Sequence, residues 1–217
     1  MSAEPILLLD LDCVTIYGGN PRDSLPPEIY QLHPDMVQRL SETSIPVVLF
    51  THRSRQEAMK ILSFFAERQL TFAACISARE LFYSALRQGR VLDLLRQGLS
   101  KKHGIRWVAG QFDTGAANLV LIDDKPENLK EVLIEGARVA VHAPFEIQDN
   151  QVTTFELAEL FDILHDNPAE KYKGVIELTP VSRDLSSLPV IGEIHRNSPD
   201  LFESVRRFGR RARKKLS

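Results

Sequence analysis

The chain is predicted to fold as an α/β domain around a mostly parallel sheet, on three observations. Short, wholly apolar runs recur along it. Between them lie longer stretches with apolar residues at helical spacing. Three of the runs end in Asp or Thr, polar residues set directly against apolar sequence.

In chain order, the first run is Ile6 to Leu9, four apolar residues without alternation, as in a strand covered on both faces. It ends at Asp10. Residues 18–27, rich in Gly, Pro, Asn and Asp, read as a loop. Residues 34–44 read as a helix with Met36, Val37 and Leu40 on one stripe and Pro34 at its start. The second run, Ile45 to Phe50, ends at Thr51. A helix over residues 55–69 follows, with Ala58, Ile61, Leu62 and Phe65 inward, then a strand over residues 71–76. Residues 78–103 read as two helices broken near Gly89. The fourth run, Leu119 to Ile122, ends at Asp123 and Asp124; a helix over residues 126–135 is closed by Gly136. A fifth strand over residues 138–142 and a helix over residues 154–164 complete the core.

Such alternation implies right-handed crossovers, and in open parallel sheets the ligand lies outside the carboxyl ends of the strands. Asp10, Thr51 and the Asp123–Asp124 pair therefore belong to one edge.

At 217 residues, with 43% hydrophobic and 26% charged, the chain is sized for one substantial core. Two cysteines, Cys13 and Cys75, make no disulfide framework, and a reducing compartment is the default. The first apolar run is too short for a signal peptide or a membrane span and lacks a basic leader, so a cytoplasmic location is expected. The net charge of −2 hides an uneven distribution. Residues 206–215 carry seven Lys and Arg, leaving 20 basic against 29 acidic residues elsewhere, a body of −9. In residues 199–217, Leu201, Phe202, Val205 and Phe208 would share one helical face among these cations. That pattern fits an anionic membrane surface or acidic partner, with nucleic acid the weaker reading and a solvated tail the plain one.

Asp10 and Asp12, two residues apart past a buried strand, are suited to nucleophilic attack and proton transfer. Carboxylates so close repel, and a hard cation such as Mg²⁺ offsets the repulsion, with Asp123 and Asp124 as further oxygen ligands. Thr51 offers a hydroxyl and a backbone N–H to a phosphate oxygen, or caps the next helix. His52 and Arg53 follow it near the mouth of the site, His52 beside the phosphate rather than as a catalyst. Trp107 and Phe112 read as packing residues.

Asp10-Leu11-Asp12-Cys13-Val14 resembles the first motif of the haloacid dehalogenase-like (HAD) superfamily. Val48-Leu49-Phe50-Thr51 resembles its second motif, and Leu119-Val120-Leu121-Ile122-Asp123-Asp124 its fourth. The resemblance covers roughly residues 5–145 and implies a three-layer Rossmann-like fold. It implies that Asp10 attacks phosphorus, that Asp12 protonates the leaving group and then activates water, and that Mg²⁺ is held by Asp10, the Asp12 carbonyl and Asp123, with Asp124 supporting. The third motif is a lone cation. Arg90, after Gly89 at a helix start, is favoured; Lys101 and Lys102 are the alternative.

The expected organisation is a HAD-like core over residues 1–165, an extension or linker over 166–198 and the basic amphipathic tail over 199–217. Residues 13–50 leave room for a loop or a flap hairpin but not a large cap. An open site favours a macromolecular phosphomonoester, a phosphoprotein side chain such as phosphotyrosine first. A nucleotide or nucleic-acid end, and a catalytically silent membrane- or partner-binding module, are the alternatives.

Overall fold

The structure, a computed structural model, describes residues 4–18, 29–148 and 150–193. The predicted tail over 199–217, and the predicted loop beyond Gly18, lie outside the described residues.

The elements run β1 (Ile6–Leu9), β2 (Ile16–Gly18), β3 (Ile29–Leu32), α1 (Met36–Glu42), β4 (Val47–Phe50), α2 (Arg55–Ala66) and β5 (Ala74–Ile76). Three helices follow: α3 (Ala78–Arg87), α4 (Val91–Gln97) and α5 (Lys102–Gln111). Then come β6 (Leu119–Asp123), α6 (Pro126–Ile134), β7 (Val139–His142), β8 (Glu146–Gln148), β9 (Gln151–Thr154), α7 (Leu157–His165) and α8 (Pro168–Lys171). The described chain closes with β10 (Gly174–Glu177), β11 (Val181–Asp184) and β12 (Val190–Glu193).

Six strands form one parallel sheet in the order β10-β7-β6-β1-β4-β5. Successive side chains of a strand point to opposite faces, and here both faces are covered. Leu7, Leu9, Val47, Leu49, Val120 and Ile122 feed one core with residues of α1, α2 and α7, including Met36, Phe65 and Leu160. Ile6, Leu8, Val48, Phe50, Leu119 and Leu121 feed the other with residues of α3, α5 and α6, including Leu81, Val108 and Leu129. This is the predicted three-layer α/β architecture. From β1 the later strands add on one side through β4 and β5 and on the other through β6, β7 and β10. The order reverses between β1 and β6, the place at the carboxyl ends where open α/β sheets form their ligand crevice.

Three details correct the sequence reading. The stretch read as two helices ends earlier, and a third helix, α5, follows it. Gly104 lets α5 approach the sheet: a Cβ there would stand 2.6 Å from the Phe50 ring and 2.8 Å from Leu81. The third detail concerns the predicted extension, which up to residue 193 packs on the core: β10 is the sixth strand of the main sheet, and β11 pairs with β9. β10 is a half-exposed edge strand, so its apolar signal is diluted.

The expected flap is an antiparallel pair, β2 and β3, extended to three strands by β12. Tyr17 anchors its base. The ring stacks on Phe145 at 5.7 Å, and the hydroxyl shares a 2.5 Å hydrogen bond with Thr154 Oγ1. No helix among the described residues is long and apolar enough to cross a membrane.

Candidate active site

The crevice at the order reversal gathers most of the predicted residues. Asp10 follows β1, and its backbone N–H donates to the Ile122 carbonyl on β6 at 3.2 Å, which ties the two strand ends together. Its carboxylate accepts from the Leu11 N–H at 2.7 Å. Carboxylate oxygens of Asp10, Asp123 and Asp124 lie within 4.8 Å of one another.

Lys101, immediately before α5, reaches this cluster. Its Nζ stands 2.6 Å from Asp10 Oδ1 and 2.5 Å from Asp123 Oδ2, and the residue is 1% exposed. The favoured Arg90 is elsewhere: it makes a two-pronged pair with Glu135 at the end of α6. Lys102 points to Gln97 and Glu131. The structure thus places Lys101 against the predicted nucleophile and engages Arg90 and Lys102 with Glu135 and Glu131 of the α6 region. The Gly89–Arg90 pattern misled because it occurs at a helix start too. What brings Lys101 inward is the glycine three residues later, which seats α5 against Phe50.

Three acids around one buried ammonium leave excess negative charge. Burial, then the Asp123 carboxylate, push Asp10 well above the usual carboxylate range despite Lys101. Asp123 moves the other way. Burial opposes its charge, but the Lys101 ammonium and hydrogen bonds from Lys101 and Asn128 hold it below its ordinary value. Asn128 Nδ2 donates to both Asp123 oxygens, at 3.0 and 2.9 Å, and the Lys125 N–H donates to Oδ1 at 2.9 Å. Asp124 is raised by burial, with Asp123 adding to it and Lys125 opposing.

Asp12 meets a different neighbour. Arg53 Nε stands 3.0 Å from both its oxygens, and Nη2 lies 2.5 Å from Oδ1. Burial works against the charge, yet the Arg53 guanidinium outweighs it and lowers the pKa. Cys13 next to it takes φ 65°, in the left-handed region, where the chain turns towards β2.

Thr51 is buried at the end of β4. Its backbone N–H, expected to face phosphate, instead donates to the Ile76 carbonyl at 2.9 Å. Its hydroxyl oxygen accepts from the Arg53 N–H at 3.1 Å and keeps its own proton to give. Thr51 does not cap α2; Ser54 does, in a reciprocal capping box with Glu57. Burial, then Lys101, push the His52 imidazole down to about 3, so it is neutral at physiological pH.

Three supporting residues were not assigned these roles from sequence: Arg53, Asn128 and His142. Asn128 had a readable signal, five residues after Asp123 in the first turn behind a helix-starting proline. His142 Nε2 approaches the Asp124 carbonyl at 3.3 Å, while Nδ1 pairs with Glu177. That contact depends on β10, which pattern reading did not find.

No protein-family model matches the chain, and no curated protein matches its sequence. Among solved structures it is similar to a provisionally assigned HAD-like phosphatase from Mesorhizobium loti. The identity is 14% over 76% of this chain and 86% of that one, with a TM-score of 0.47. It is similar too to the core domain of a provisionally assigned phosphoglycolate phosphatase from Streptococcus pneumoniae. There the identity is 14% over 76% of this chain and 97% of that one, with a TM-score of 0.43. Neither likeness bears on the chemistry, which rests on the side chains above.

Proposed function

We propose that this chain is a Mg²⁺-dependent phosphomonoester hydrolase of the HAD-like kind, with Asp10 as nucleophile. The observation that carries the reading is the group of three carboxylates, Asp10, Asp123 and Asp124, around the buried Lys101 ammonium at the sheet's order reversal.

The donor set fits a hard divalent ion: oxygen ligands only, in excess of the local positive charge. Asp10, Asp123, Asp124 and the Asp12 backbone carbonyl would hold it. Bound there, Mg²⁺ supplies positive charge to the phosphate oxygens. An Asp10 oxygen attacks phosphorus, the bond to the ester oxygen breaks, and an aspartyl-phosphate forms on Asp10. Asp12 gives its proton to the leaving oxygen, then takes one from the water that hydrolyses the aspartyl-phosphate. Arg53 favours the ionised Asp12, the form that activates water; to act as acid, Asp12 must loosen that pairing. Lys101 balances charge on Asp10, and the Thr51 hydroxyl can donate to a phosphate oxygen.

Among the described residues no separate domain lies between the catalytic motifs, so the reading extends to a phosphomonoester carried on a large molecule. Phosphoprotein side chains, phosphotyrosine included, and nucleic-acid ends are the two such classes. The basic segment 199–217 is suited to hold the enzyme at an anionic surface.

The test is hydrolysis of an aryl phosphate with and without Mg²⁺, for wild type and Asp10→Asn. Turnover that needs the metal and falls by about 10⁴-fold or more in the variant is expected. Undiminished turnover by Asp10→Asn would sink the assignment.

A further inference from the structure

A groove lies beside the candidate site, on the β5 side. It is lined by Arg55 of α2, by Arg79, Glu80, Tyr83 and Arg87 of α3, and by Trp107 of α5, and encloses about 340 Å³. It connects to the catalytic edge through a short chain of contacts. Arg53, which grips Asp12, accepts at its backbone carbonyl from the Ala78 N–H at 2.9 Å, and Arg79 is the next residue.

Arg79, Tyr83 and Arg87 are spaced i, i+4, i+8 and so form one row down α3. At 1.5 Å per residue the row is about 12 Å long. All three are exposed, Tyr83 at 51%. Arg55 is engaged by Glu80 at 2.6 Å. Arg79 lies 5.8 Å from the Tyr83 ring centre, and among the described residues no ion pair is made by Arg79 or Arg87. Half-buried Trp107 walls the groove from α5.

Guanidinium, aromatic ring and guanidinium, one helical turn apart, make a stacking platform with a cation on either side. Single-stranded nucleic acid offers the matching pattern, phosphates for the arginines and base faces for the ring. An acidic peptide would use the arginines but not the exposed ring between them. The groove is a local cationic site on a body that is otherwise acidic.

We propose that this groove holds the single-stranded end of a nucleic acid whose terminal phosphate enters the site at Asp10. The inference rests on the phosphatase reading for its chemistry, but the groove can be tested without turnover. Binding of a fluorescent ten-nucleotide strand is measured with full-length Asp10→Asn protein between 50 and 200 mM salt. The same protein carrying Arg79→Gln and Arg87→Gln is the comparison. The basic segment 199–217 is present in both, so the difference reports the groove.

Loss of two phosphate contacts should flatten the slope of log affinity against log salt by about 1.4, at about 0.7 per contact for single strands. The advantage of the unsubstituted groove should then shrink about sevenfold across that salt range. Tyr83→Ala should weaken binding by about fivefold or more. In the active enzyme, kcat/KM for 5′- or 3′-phosphorylated strands should fall with these substitutions, while an aryl phosphate is turned over as before. Equal slopes and affinities would overturn the groove proposal. So would a kcat/KM loss confined to an acidic phosphopeptide. Absence of turnover by wild type, with the slope change intact, would count against the phosphatase reading alone.

Discussion

Asp10 and Asp12 are separated by one residue and live in opposite electrostatic settings. Asp10 shares a single ammonium with Asp123, has Asp124 nearby, and is pushed up. Asp12 is gripped by the Arg53 guanidinium and is pushed down. One site stores repulsion that a cation can relieve; the other is already neutralised by the protein. In the proposed reaction, one β-strand end would thus supply both the nucleophile and a proton carrier whose charge does not depend on the metal.

Breaking the first environment should have the largest effect. Lys101→Met removes a buried cation in direct contact with both Asp10 and Asp123. Activity should fall about 10²- to 10³-fold. Stability in chelator should drop by about 3–5 kcal/mol, as for other buried pairs that lose one member. A variant that keeps wild-type stability in urea would show that Lys101 is not the counter-charge.

The two acids should then respond oppositely to one substitution. Asp12→Asn leaves Arg53, 8% exposed, without its anion and should cost roughly 2–4 kcal/mol. Asp10→Asn removes a repelled charge and should stabilise the metal-free protein. Urea denaturation in chelator measures both, and shifts of the same sign would refute the contrast.

Their pH behaviour has opposite signs as well. The raised Asp10 binds more protons folded than unfolded, so its contribution makes metal-free stability rise as pH falls from its folded pKa towards about 4. The depressed Asp12 contributes stability that is complete above about 4 and lost as pH falls through its folded pKa. Denaturation of each Asn variant against wild type across pH 3 to 7 separates the two.

A smaller effect sharpens the comparison with the metal. Mg²⁺ at 100 times its dissociation constant should stabilise wild type by about 2.7 kcal/mol. Asp123→Asn should lose most of that gain, while Asp12→Asn, which removes a carboxylate held by Arg53, should keep it. Calorimetry with and without Mg²⁺ decides. The smallest effect is at the turn that follows Asp12. Cys13→Gly, relieving a positive φ, should add about 1 kcal/mol or slightly less, given the buried thiol it removes.

The fold was legible because β1, β4 and β6 are buried on both faces and read as unbroken apolar runs. Asp10, Asp12, Thr51, Asp123 and Asp124 followed, since each ends such a run or stands just beyond it. β10 was not legible: its alternate residues face solvent and it lies at the sheet edge. Lys101 was named only as an alternative because its placement depends on a close approach of α5 to Phe50, a three-dimensional fact carried by Gly104. Arg53 was placed near the mouth of the site, but nothing in its spacing to Asp12 reveals that β1 and β4 are adjacent and that it grips that acid.

The flap adds a matter of timing. Its strand β12 pairs with β3 across roughly 160 residues of chain, Val190 lying opposite Gln31. At a synthesis rate of about 5–20 residues per second, β3 waits about 8 to 30 s for that partner. By then every acid of the site, and Lys101, has been made. On the ribosome the cluster of Asp10, Asp123 and Asp124 can therefore assemble around Lys101 while the flap is still a two-stranded ribbon, which by itself is only marginally stable.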